Sequence, residues 1–209
     1  MPATRKQSAS STYDVHPSLG MYQNSLAALK QKTGRTLEYW IKLVKKEAPA
    51  TEKERSAWLK EKHGLGMNYA SWIAEHSVGK GDDGNPETYL KNAEEYVQKM
   101  YSGAKEALRP IFDELLVLGR SMGSDVKVCP CQTMVPLYRN HVFAQIKPTT
   151  RTRIDLGLAL KDTKVPKRLI DTGGFAKKDR ITHRIEITSL KDIDDEVKKW
   201  LKTAYEMDE

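Results

Sequence analysis

This chain of 209 residues has only two cysteines, only three phenylalanines and no long apolar run. Cys129 and Cys131 are too few and too close to build a disulfide framework. Nothing approaches the roughly 18 consecutive apolar residues that a membrane-spanning helix needs. The opening stretch MPATRKQSASSTYDVHPSLG carries basic residues with no apolar segment behind them, so it does not read as a secretory signal. Together these absences point to a soluble, cytoplasmic protein with no membrane partner.

Familiar catalytic signatures are missing as well. There is no G-x-S-x-G, no H-E-x-x-H and no phosphate-binding G-x-x-x-x-G-K-[ST]; Gly79-Lys80 lacks the required spacing. Gly64-Leu65-Gly66 follows a helical pattern rather than a strand, so it is no dinucleotide loop. Cys129-Pro130-Cys131 offers two thiolates where a structural zinc site needs four ligands, and the nearest histidine is His141. The histidines show no i, i+4 pairing, and His183 alternates with Ile181, Ile185 and Ile187 as a core-side residue would. Asp155 and Glu186 invite comparison with metal-dependent nucleases, but Thr188 stands where the lysine of Glu-x-Lys would be. We therefore assign no catalytic residue, no metal ligand and no cofactor. An enzyme with a site assembled from dispersed residues remains the less favoured alternative.

What is present is charge, unevenly placed. The net charge is +7, and residues 126–184 hold 13 Lys and Arg against 4 Asp and Glu. The flanking stretches 86–125 and 185–209 are acidic, with 5 against 7 and 4 against 8. A localised positive field favours nucleic acid, a phosphorylated ligand or another anionic partner. Balancing by the acidic neighbours is the competing reading.

Apolar spacing predicts helices over Met21–Lys32, from Leu37 to the stop at Pro49, after the Thr51–Glu54 capping box, and after a cap at Asn68. The stretch SVGKGDDGNP has linker composition. Further helices are expected from Pro86 and over Ala104–Leu118, with Pro110 as a kink or break. The period then changes to that of strands, near Asp125–Cys129, Met134–Arg139, Val142–Lys147, Arg151–Leu158 and Thr182–Thr188. Lys161–Arg180 reads as a long loop, and Asp192 as the cap of a last helix. The expected organisation is a disordered tail 1–20, a helix-turn-helix-like domain 21–76, a linker 77–86 and an α+β domain 87–209. In the last, an antiparallel sheet of about five strands would pack with helices on one face.

Alternation places Val142, Ala144, Ile146, Ile154 and Leu156 on the core face of that sheet. The opposite face would carry Phe143, Lys147, Arg151, Arg153 and Arg184, with Arg139 nearby, as candidate anion- or nucleic-acid-binding residues. Cations around an aromatic platform suit single-stranded nucleic acid or a phosphorylated ligand. Pairing of the arginines with Asp155 and Glu186 on a solvated face is the structural alternative. The fourth helix makes a poor major-groove reader, since it offers only Asn68, Ser71 and His76 beside Glu75. The helical domain is better read as a docking module, and the alternative to anion binding is a protein- or small-ligand-binding adaptor built on it.

The marks Thr33-Gly34, Leu37, Trp40, Leu59, His63-Gly64-Leu65-Gly66 and Tyr69-Ala70 resemble a short helical domain of unknown function found at the N-terminus of uncharacterised bacterial proteins. From about Tyr101 to Tyr205 the chain resembles a second uncharacterised domain, often fused behind the first. Its marks are Leu108-Arg109-Pro110, Gly123 to Val128, Arg139 with Phe143-Ala144, the Arg-Ile-Asp-Leu-Gly-Leu strand and the closing helix from Trp200 to Tyr205. In other architectures that domain has been labelled a predicted transport protein. The resemblance implies this domain order and a bacterial source, and it carries no established active site.

Overall fold

The structure is a computed structural model that describes residues 12–80, 85–164 and 167–209. It falls into two units: His16–Tyr89, and Leu90–Glu209 together with Met1–Val15. The expected tail lies outside the described residues up to position 11, the expected linker does so at 81–84, and the expected long loop at 165–166.

In the first unit local signals set the helix ends. Helix α1 (Ser18–Thr33) stops at Gly34, whose φ of 72° suits a residue without Cβ. Thr36 caps α2 (Leu37–Glu47) by accepting from the Tyr39 N–H, and the Thr51–Glu54 capping box opens α3 (Glu52–His63). Helix α4 (Met67–Ser77) starts two residues earlier than a cap at Asn68 would place it. Gly66 holds the cap position and accepts the Ala70 N–H, so Asn68 lies inside the first turn. Leu29, Trp40, Val44, Leu59, Ala70 and Ile73 form the core of the unit. Burial of each large apolar side chain there contributes about 1.5–3 kcal/mol.

Helix α5 (Pro86–Met100) leads into the second unit, where a 3-10 turn (Gly103–Leu108) precedes α6 (Arg109–Arg120). Pro110 marks the break, because the first turn of α6 does not use its missing N–H. The sheet has six strands: β1 (Lys127–Val128), β2 (Val135–Tyr138), β3 (Val142–Pro148), β4 (Ile154–Leu158), β5 (Ile170–Asp171) and β6 (His183–Ile187). Their order is β1-β2-β3-β4-β6-β5, with every pairing antiparallel. Strand β5 lies in the stretch expected as loop; two residues are too short to show a period. Arg151 and Arg153 precede β4 rather than belonging to it. The last helix, α7 (Asp195–Glu206), is capped by Asp194, whose carboxylate accepts the Glu196 and Val197 N–H groups. Asp192 instead accepts from Thr188 and Ser189 and closes a 3-10 turn before α7.

Register aligns Val135, Ile146, Leu156 and Ile185 across four strands, with Leu137, Ala144 and Leu158 beside them, all fully buried. Helix α6 covers this apolar face so closely that a Cβ on Gly119 would stand 2.6 Å from Leu137 Cδ1. Residues 12–15, expected as tail, extend the sheet at its edge. The Asp14 N–H donates to the Val128 carbonyl at 2.8 Å, and the Asp14 carboxylate accepts the Val128 N–H, also at 2.8 Å. Tyr13 is buried beside them, so this segment covers an otherwise open strand edge. Among the described residues, no helix is long and apolar enough to cross a membrane.

Candidate anion-binding site

The residues proposed for the polar sheet face separate into three groups. The first is neutralised. Register sets Asp155 directly opposite Glu186, a repulsive cross-strand pair unless cations intervene. Arg184 Nη1 lies 3.0 Å from Asp155 and 2.7 Å from Glu186. Arg153 Nη1 lies 2.8 Å from Glu186, and its Nε sits 2.9 Å from Asp155, held by charge at an angle outside hydrogen-bond range. Two guanidiniums and two carboxylates thus cancel, and the partly buried Asp155 also accepts the Thr149 hydroxyl at 2.8 Å.

The second group is structural. Arg139 donates through Nε to Asp125 at 3.0 Å and lies over the Tyr205 ring at 4.5 Å, while the Tyr205 hydroxyl donates to Asp125 at 2.7 Å. That last bond leads the causes holding the Asp125 carboxyl below its ordinary pKa. A Cβ on Gly123 would lie 2.1 Å from the Tyr205 hydroxyl, so the clasp needs glycine there. Phe143 also belongs here, and its placement on an exposed face is corrected. Leu137 pairs with Ala144 and Tyr138 with Val142, which leaves Phe143 as the extra residue of a β-bulge. The bulge breaks the alternation, and Phe143 is fully buried, edge-on against Tyr205 with ring centroids 5.5 Å apart. It cannot serve as a stacking platform.

The third group remains available. Lys147 at the end of β3 and Arg151 in the following turn line a cavity of about 570 Å³. Lys99 and Lys105, which nothing in the sequence singled out, line it too. Gln132, Thr133 and Thr149 add polar groups, and no carboxylate or aromatic ring belongs to the lining. Among the described residues none of the four cations takes part in an ion pair. Lys105 donates one hydrogen bond to the Pro148 carbonyl at 2.5 Å, tying the segment after α5 to the strand end and keeping its charge at the cavity. The turn that carries Arg151 is held by the Thr149–Asp155 bond and by the Thr150 N–H on the Arg153 carbonyl. Four converging cations on a braced frame are a chemical fit for phosphate oxygens.

Other candidate chemistry is committed elsewhere. Cys129 is buried, and burial pushes its thiol up to about 12, the opposite of a reactive thiolate. Both cysteines are free, and among the described residues no group of three or more His, Cys, Asp or Glu is placed to hold a metal. His183 is buried with Nδ1 2.9 Å from the Thr182 hydroxyl. On α4, Ser71 donates to Glu75, and His76 is hydrogen-bonded to the Tyr22 hydroxyl. In the same unit Trp40 is core, while Trp58 packs against that core part-exposed.

Comparison with known families bears on both units. Residues 21–78 match the family described as Domain of unknown function (DUF4287). No curated protein matches the chain, and no solved structure does. Residues 97–208, more than half of the sequence and nearly all of the α+β unit, match Domain of unknown function (DUF5655), and the chain belongs to that family.

Proposed function

We propose that this protein is a non-enzymatic binding protein whose α+β unit engages the phosphate backbone of nucleic acid at the cavity of Lys99, Lys105, Lys147 and Arg151. One observation carries the reading. These four cations share a cavity whose lining has no carboxylate, while the nearby Arg153 and Arg184 are cancelled by Asp155 and Glu186. The lining offers cations and small polar groups but no ring on which a base could stack. Contact there is therefore with phosphate and insensitive to sequence. The proposal includes the bacterial origin that the resemblance implies and the cytoplasmic setting expected from the sequence.

Titration of the full chain with single- and double-stranded DNA and RNA at two salt concentrations tests it. The expected result is binding at low salt that weakens steeply as salt rises, by a slope of about −0.9 per phosphate contact on duplex DNA. Absence of binding at low salt defeats the reading. A second reading rests on the helical unit, where Met21 and Met67 are each 72% exposed and Tyr39 is 42% exposed. Such side chains suit apolar docking of a protein partner, and that binding would change little with salt.

A further inference from the structure

A second cavity of about 570 Å³ lies in the same unit, lined by Phe175, Lys161, Lys178, Arg180, Thr182 and Met207 among others. Phe175 is the exception among the three phenylalanines of the chain. Phe112 and Phe143 are fully buried, whereas Phe175 is 55% exposed. The turn presenting it is clamped on both sides. The Gly173 N–H donates to the Asp171 carboxylate at 2.7 Å, the Asp179 N–H to the Gly174 carbonyl at 2.8 Å, and the Lys178 backbone N–H to the Phe175 carbonyl at 3.1 Å. A Cβ on Gly174 would lie 2.3 Å from the Ile181 carbonyl oxygen, so the turn closes too tightly for any side chain there. An aromatic ring left in water on a frame this constrained suits stacking against a planar partner.

The charge around the ring is also specific. Among the described residues, the only non-glycine positions with positive φ are Lys161 at 53° and Lys178 at 59°. Both line this cavity, and among the described residues neither takes part in an ion pair. Side chains with a Cβ rarely adopt that backbone conformation, and it concentrates where a site needs a particular direction. Arg180 is already committed, since it pairs with the buried Asp208 and donates to the Val142 carbonyl at 3.1 Å. Asp208 in turn accepts the His141 N–H at 2.8 Å. Cancelling that pair leaves Lys161 and Lys178 against the single carboxylate of Asp179.

We propose that this cavity binds a nucleotide, with the base stacked on the Phe175 ring and the phosphate held by Lys161 and Lys178. The site is separate from the first cavity and does not depend on it. Its nucleotide could be free or could belong to a single strand, and the two sources share the same base and phosphate chemistry.

Each cavity carries its own reporter, because Met207 lines this one and Met100 lines the other. The test is a methyl-methionine NMR titration of the full chain, with resonances assigned through Met207→Leu and Met100→Leu. The probes are adenosine monophosphate, adenosine, inorganic phosphate and an eight-residue oligothymidylate. The expected result is a saturable shift of the Met207 methyl with adenosine monophosphate, and weaker binding of adenosine and of phosphate alone. Phe175→Ala should weaken binding about tenfold, within the range for loss of base–aromatic stacking. Lys161→Asn with Lys178→Asn, which tolerates positive φ, should weaken the mononucleotide to the level of adenosine. Lys147→Ala with Arg151→Ala should leave the Met207 shift unchanged. Tighter binding of the mononucleotide supports the site with a free nucleotide as its ligand; tighter binding of the oligonucleotide supports it with a strand. A stationary Met207 methyl with both ligands overturns the proposal, as does wild-type binding by Phe175→Ala. Movement of Met100 alone overturns it too, while leaving the first cavity's reading intact.

Discussion

Two groups of cations lie on neighbouring segments of the α+β unit, and their surroundings differ. Arg153 and Arg184 sit over the paired strands β4 and β6, where register forces two carboxylates face to face. Lys147 and Arg151 sit at the strand end and in the turn only a few residues away; Asp155 stands opposite Lys147 in the register, but its ion pairs are with Arg153 and Arg184, and the cavity lining itself holds no carboxylate. The first group resolves a repulsion inside the fold, and the second leaves its charge for a partner. A basic stretch of sequence is thus divided by strand pairing into a cancelled part and an available part. The boundary runs through Asp155, which neutralises the arginines and through Thr149 also braces the cavity turn.

The strongest way to break this contrast is charge reversal at the available group. Lys147→Glu with Arg151→Glu should lower nucleic-acid affinity about a hundredfold at low salt, as measured by fluorescence anisotropy, because two attractive phosphate contacts become repulsive. The contrast is sharpened by freeing the other group. Asp155→Asn should lower stability to urea by about 1–2 kcal/mol, a figure discounted because the partners are partly solvent-exposed. The same variant should raise affinity severalfold, since a guanidinium loses its counter-charge.

A smaller effect separates the inert thiol from both groups. Cys129 is raised from 9.0 to about 12, chiefly by burial. Between those values the unfolded chain gives up its thiol proton and the folded chain keeps it, so stability falls as pH rises. Cys129→Ala should remove about 1 kcal/mol of the loss seen between pH 8 and pH 10, as measured by urea melts at each pH.

How much of this was legible in the sequence depended on the range of the interaction. Helix ends governed by a nearby glycine, a capping threonine or Pro110 were readable, because their causes lie within four residues. The apolar face of the sheet was readable from alternation. Phe143 was misplaced because a β-bulge moves one residue out of step, and that bulge is set by pairing with β2 rather than by β3 itself. The edge role of Asp14 was hidden because its partner Val128 is 114 positions away. Lys99 and Lys105 gave no signal beyond polarity, and only tertiary folding brings them beside Lys147 and Arg151. The alternative pairing of Arg153 and Arg184 with Asp155 and Glu186 was visible as a possibility, but the register that enforces it was not.

The most direct test of the contrast compares two sets of neutralising substitutions in the full chain on one duplex DNA over a range of salt. Lys147→Ala with Arg151→Ala should flatten the dependence of log affinity on log salt by about two contacts. Arg153→Ala and Arg184→Ala combined with Asp155→Asn and Glu186→Gln should leave slope and affinity within about twofold of the parent, because that set removes no net charge. An equal or larger loss in the second variant, with its fold intact by circular dichroism, would contradict the account.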